Sequence, residues 1–245
     1  TANDKLEDEA VDHAITLTRY SNHVVRQMVA LLNQSDGRLM AALSEALMQM
    51  DRESFTVARL EALLASVRDI NAEAYQELYG AIQGELEGLA AVEAGYQMQL
   101  FADAVPSAVR LQFGLGTISP SQVYAAAMAR PFQGRLLREW AGNLEQSRMQ
   151  AITNAVRNGF VEGRTTAEIV QAIRGTRANK YADGVLQKPR REVEAVVRTA
   201  ISHTAQIAQN DMIRANDDLI KAVKWSSTLD DRTTDRKSTR LNSSH

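Results

Sequence analysis

From Leu6 to Leu32, apolar residues return at helical spacing: Leu6, Ala10, Ala14, Leu17, Val24, Val25, Met28, Leu31 and Leu32. That period predicts an amphipathic helix. Asp4, Glu7, Asp8 and Glu9 crowd its first turns, where the helix dipole favours acids. "NQSDGR" at 33–38 has turn composition, so a second helix is expected to follow in "LMAALSEALMQM". "DRESF" breaks that helix, and a third pattern runs from Thr56 to about Ala104. No proline precedes Pro106, and Gly37 is the only glycine before Gly80, so long helices are permitted.

Within the third pattern Gly80, Gly84 and Gly88 fall four residues apart and make one smooth helix face. Each glycine costs up to about 1 kcal/mol of helix propensity relative to alanine, so close packing is expected to offset it. The face suits either a neighbouring helix of the same fold or self-association and a partner groove. Gln83, Glu85 and Glu87 beside it exclude burial in lipid.

"AVPSAVRLQFGLGTISPSQ" (104–122) concentrates proline and glycine and marks a boundary. Ser119-Pro120-Ser121-Gln122 then reads as a capping box with proline at the first helical position. "RPF" (130–132) interrupts that helix. A longer amphipathic helix is expected from Leu136 to Val161, and Thr165 with Glu168 predicts a second capping box opening a helix over 166–173. A polar, basic connection, 175–192, leads to a helix expected to start at Pro189 and to bury Val193, Val196, Val197, Ala200, Ile201, Thr204, Ala208 and Met212. In "AVKWSST", Val223 and Trp225 alternate with polar residues, which predicts a strand before the turn "LDDRTTD". The fold class expected is mainly α, with a short β-strand or hairpin element at its end. Four regions follow: a long-helix acidic region 1–104, a linker with a short helix 105–134, a helical domain 135–236, and a tail 237–245.

Composition sharpens this picture in two ways. Aromatic residues make up only 5% of the 245, which favours helix over strand. Net charge is −2 but divides unevenly. Residues 1–104 hold 7 Lys and Arg against 17 Asp and Glu, a balance of −10, and the remainder holds 21 against 13, a balance of +8. The split suggests either two regions facing different partners or two solvated helical surfaces of differing composition. No run of 18 apolar residues exists, so no membrane partner is expected. The chain has no cysteine, which excludes disulfides and thiolate metal sites.

Chemistry-bearing motifs are sparse. His13, His23, His203 and His245 do not stand at metal-ligand spacing, and there is no HExxH, GxGxxG, GxxxxGK[ST] or GxSxG. Asp230, Asp231 and Asp235 read better as solvated turn residues than as a cation site. No enzyme activity, cofactor or metal is expected. The informative segment is basic: Arg164, Arg174, Arg177, Lys180, Lys188, Arg190, Arg191 and Arg198 fall within 35 residues. Such a cluster suits non-specific contact with the double-stranded DNA backbone. It equally suits a solvated face or a dock for an acidic protein surface. Tyr181 is its one stacking ring, which argues against base-specific reading of single strands.

"GRTTAEIVQAIRG", "VVRTAISHTAQIAQNDMIRAN" and "KAVKWSSTLDDRTTDR" together resemble the phage head morphogenesis (minor head protein) family, over roughly residues 135–236. In that family a helix opening with an Arg-Thr pair runs into a short strand and a W-x-[ST]-x-x-D-x-R-T turn. Arg198 and Thr199 supply the pair; Trp225, Ser227, Asp230, Arg232 and Thr233 supply the turn. The family places a cysteine a few residues later, where this chain has Lys237. "KSTRLNSSH" continues nothing in the family, so the native frame is expected to end near Arg236, with the rest a foreign tail. The resemblance implies a structural role in the virion. The partners it implies are portal, capsid or scaffold proteins, with DNA as a further contact, during head assembly, packaging or ejection. A helical adaptor or DNA-binding protein unrelated to phage heads, or the non-catalytic part of a larger phage enzyme, is the alternative.

Overall fold

A computed structural model describes residues 2–49 and 56–220. The protein is mainly helical, with eight helices among these residues: α1 (Ala2–Met48), α2 (Val57–Leu63), α3 (Ala65–Ala104), α4 (Ser107–Phe113), α5 (Pro120–Ala129), α6 (Leu137–Val161), α7 (Thr166–Arg174) and α8 (Gln187–Ala215). At a rise of 1.5 Å per residue, α1 is about 70 Å long and α3 about 60 Å.

α1 and α3 form an antiparallel hairpin. Tyr96 Oη donates to the Glu9 carbonyl at 3.2 Å, His13 meets Glu93 at 3.0 Å, and Tyr20 Oη donates to Glu85 at 2.8 Å. Further along, Arg38 meets Glu73 at 3.1 Å. α8 lies in the groove of this hairpin and runs opposite to α1, with Arg198 donating to Asn22 at 2.6 Å and Arg190 bonded to Asp36. The shared central core draws Val24, Met28 and Leu32 from α1, Leu78, Ile82 and Leu86 from α3, and Val193, Val197 and Ile201 from α8. Each such side chain contributes about 1.5–3 kcal/mol by leaving water. A second core gathers Leu39, Leu43 and Leu47 of α1 with Leu60, Ile152, Val156, Ile169, Ile173 and Leu186. A third joins Ala90 and Ala94 of α3 to Val123 of α5 and Ile207 and Met212 of α8.

The caps follow the sequence. Ser119 Oγ accepts from Gln122 N at 3.2 Å while Gln122 Oε1 accepts from Ser119 N at 3.4 Å. Thr165 Oγ1 accepts from Glu168 N at 3.3 Å, and the Glu168 carboxylate accepts from Thr165 N at 2.6 Å. α8 begins at Gln187, two residues before Pro189, and buries every residue expected of its apolar face.

Two expectations are corrected. Residues 33–38 form no turn: α1 runs through them without a break. The buried stripe Leu32, Ser35, Asp36, Leu39 keeps helical period across the segment. Ser35 Oγ donates to the Leu32 carbonyl at 2.8 Å, and Asp36 turns inward to arginines from other helices. Turn composition was outweighed by tertiary packing. The second correction concerns Gly80, Gly84 and Gly88, which do not pack against a neighbouring helix of this fold. A methyl group placed on any of them would meet nothing within 4 Å.

The expected strand over 222–229 and the turn with Trp225, Ser227, Asp230, Arg232 and Thr233 lie outside the described residues, as does the tail. α8 ends where the Asn216 side chain clasps the strap after α4. Gly116 N donates to Asn216 Oδ1 at 2.9 Å, and Asn216 Nδ2 donates to the Gly116 carbonyl at 3.2 Å. Gly116 lies so close to the Ala215 carbonyl that no side chain fits there.

Candidate functional site

The basic segment is built around the loop between α7 and α8. α7 ends at Gly175, whose φ of 90° is a conformation that favours glycine. A Cβ on Gly175 would stand 2.8 Å from both Gly184 N and the Tyr181 carbonyl. The two ends of the loop therefore touch backbone to backbone, and residues 176–183 bulge outward from that neck. Val185 N and Leu186 N donate to the Ala172 and Ile173 carbonyls at 3.2 Å each, tying the returning strand to the last turn of α7. Leu186 is buried in the core beneath.

Asp183 organises the bulge. Its carboxylate accepts from Thr176 N at 2.7 Å, from Thr176 Oγ1 at 2.7 Å and from Asn179 Nδ2 at 2.9 Å. The Asn179 and Thr176 donors hold its carboxyl well below the usual carboxylate range, although it is fully exposed. Lys180 and Tyr181 adopt left-handed backbone, with φ of 51° and 63°. That geometry lets Tyr181 N donate to the Thr176 carbonyl at 2.8 Å. The Arg174 guanidinium lies 5.0 Å from the centre of the Tyr181 ring, a cation–π contact. A cation-rich loop is thus held in one shape by backbone and carboxylate bonds, and Asp183 is the one acid between Arg174 and Arg191.

The structure separates the candidate cations into two groups. Arg174, Arg177, Lys180, Lys188 and Arg191 are exposed around the loop and the first turn of α8. Lys188 stands 3.8 Å from Glu192. Arg198 is exposed two turns further on and is engaged with Asn22. The Thr199 hydroxyl donates to the Ala195 carbonyl at 2.8 Å within α8. Arg164 pairs with Glu162 at 2.7 Å. Arg190 points the other way, into the interior onto Asp36.

That inward turn exposes a site the sequence did not announce. Asp36 of α1 receives Arg148 of α6 and Arg190 of α8, so one carboxylate ties three helices together. Arg148 is 2% exposed and its guanidinium lies 5.8 Å from the Tyr75 ring centre. Burial pushes the Tyr75 hydroxyl up to about 12, against the opposing pull of Arg148. Two cations on one acid leave Arg148 Nη1 and Arg190 Nε without a protein acceptor. The one sequence signal was positional: Asp36 falls on the apolar stripe between Leu32 and Leu39.

The glycine face points to solvent along the middle of α3, and Ala91 and Gly95 extend it at the same helical spacing. Among the described residues no group of acids and histidines is arranged to hold a metal ion, and no helix is long and apolar enough to cross a membrane. No known family, curated protein or solved structure matches the chain.

Proposed function

We propose that this protein is a structural minor component of a tailed-phage head. In this reading it acts by binding portal and capsid or scaffold subunits during assembly, packaging or ejection, and resides in the virion. The family resemblance over 135–236 supplies the phage context. The observation that carries the binding role is the outward stripe of Gly80, Gly84 and Gly88 on a 40-residue helix. Three helix-weakening residues are kept on a surface where the fold itself makes no use of them. A backbone from another subunit, or from a second copy of this chain, can approach α3 closely there. Arg174, Arg177, Lys180, Lys188 and Arg191 add a rigid cationic face suited to the phosphates of packaged double-stranded DNA, without sequence selection. The strand and turn of the family pattern over 222–233 belong to the same proposal.

Co-purification of the full chain with portal and capsid subunits tests the reading, with Gly84→Leu as the probe. Residue 84 faces open space and leucine is a good helix former, so the variant is expected to keep its melting temperature. Wild-type protein should be retained by portal or capsid subunits and Gly84→Leu should not. Failure of the wild type to be retained by any head subunit would overturn the proposal.

A further inference from the structure

The molecule is polarised along the α1/α3 hairpin. At one end the antiparallel pairing brings residues 8–18 beside 85–105, and neither stretch contains a lysine or arginine. Asp8, Glu9, Asp12, Glu87 and Asp103 are exposed there. Arg130 and Arg214 nearby are both matched to Asp211, at 3.6 and 3.9 Å, while Arg110 adds a cation on α4. Apolar side chains stand uncovered among these acids. Val92 is 65% exposed, and Leu111 on α4 is 89% exposed. Val11, Ile15 and Phe113 accompany them.

The opposite end carries the complementary set. Arg190 meets Asp36 where α8 begins, 23 positions along α1 from His13, which is about 35 Å of helix. Arg177, Lys180 and Arg191 are exposed at this end. The same helical junction leaves Met48 78% exposed and Val161 77% exposed. Large apolar side chains scattered singly over a surface need no explanation. Here they gather at two ends, one beside surplus acids and the other beside surplus cations.

We propose that the acidic end of one copy docks onto the basic end of a second copy, so that the chain associates head to tail. The contact covers the Val92 and Leu111 group with the Met48 and Val161 group, inside a ring of opposite charges that fixes the orientation. Such a contact joins unlike surfaces, so it propagates into an open chain or closes into a ring. Like ends repel, which disfavours a two-fold dimer through either end. The inference rests on the fold and its charge distribution and is independent of the phage assignment.

Sedimentation velocity on the full chain tests it with two charge reversals, Glu9→Lys/Asp12→Lys/Glu87→Lys and Arg177→Glu/Arg191→Glu. All five positions are exposed, and circular dichroism checks that each variant is folded. At about 50 mM salt the wild type should form oligomers whose size grows with concentration, and at about 500 mM it should dissociate. Each reversal alone should weaken association about tenfold or more. Mixing the two reversed proteins should restore it, because the acidic end of one still meets the basic end of the other. Wild-type protein that is monomeric at every concentration would overturn the proposal, and so would association that neither reversal weakens. Loss of duplex DNA retention by Arg177→Glu/Arg191→Glu with undiminished association would also overturn it, assigning the basic end to nucleic acid alone.

Discussion

The junction at Asp36 and the loop around Asp183 are built from the same materials and behave as opposites. Each sets a single aspartate among several basic side chains. At the junction the carboxylate is spent on Arg148 and Arg190, and the charges disappear into the fold. In the loop the carboxylate is spent on Thr176 and Asn179, so the neighbouring cations remain on the surface. The comparison teaches that a basic run in a sequence is not yet a basic surface. What decides is where the one acid spends its lone pairs.

The sharpest way to break the comparison is at Asp36. Asp36→Ala leaves two guanidinium groups facing each other beneath the surface. Loss of one partner of a buried ion pair costs about 3–5 kcal/mol. Thermal unfolding should show a fall of about 10 °C or more, since each kcal/mol moves a domain of this size by about 2–4 °C. A midpoint unchanged from wild type would mean the junction is not a clamp.

Next in size is Gly184→Ala. Its Cβ would press into the backbone of Arg174 and Gly175, so the neck of the loop must open. A loss of about 1–3 kcal/mol is expected, together with faster hydrogen exchange at Val185 and Leu186. The core around Leu78 and Ile201 should keep its protection, which locates the damage.

A smaller effect comes from acid. The Asp183 carboxyl is depressed in the folded loop, so the order it confers is fully present above the ordinary carboxylate value and lost only as pH falls through its lower folded value. The Thr176 amide resonance should therefore hold steady through mild acid and shift only in strong acid. Asp183→Asn should abolish that titration. His203 contributes the opposite corner of the profile. Burial lowers its pKa, while the Arg130 carbonyl 3.2 Å away opposes the shift. The unfolded chain then takes up the proton first, so stability should decline as pH drops from 6.5 through the lower folded value. His203→Gln should flatten that slope, as urea titrations at successive pH values would record.

Local chemistry made much of the fold readable. Ser119 with Gln122 and Thr165 with Glu168 announce helix starts because the cap and its partner are three residues apart. The apolar face of α8 could be written down from Val193 to Met212 because helical period needs no distant information. The segment 33–38 misled for the converse reason. Asn, Ser, Asp and Gly favour a turn in isolation, and the arginines that make a helix interior of Asp36 stand 112 and 154 positions away. Distance also hid the fate of Arg190, which looks like any other cation of its run. Gly80, Gly84 and Gly88 were visible as a stripe, but a stripe does not say which way it faces, and only the packing of α1 and α8 on the other side of α3 turns it to solvent.

The central claim is that Arg177 is presented to partners while Arg190 is consumed by the fold. Melting temperature and salt-dependent retention on duplex DNA, measured side by side for Arg177→Glu and Arg190→Ala, test it most directly. The account predicts that Arg190→Ala lowers the melting temperature by about 5 °C, through loss of about 2 kcal/mol of charged hydrogen bonding, and changes DNA retention little. Arg177→Glu should leave melting unchanged and reduce the slope of log affinity against log salt by about one. A stable Arg190→Ala that loses DNA, beside an Arg177→Glu that retains it, would contradict the account.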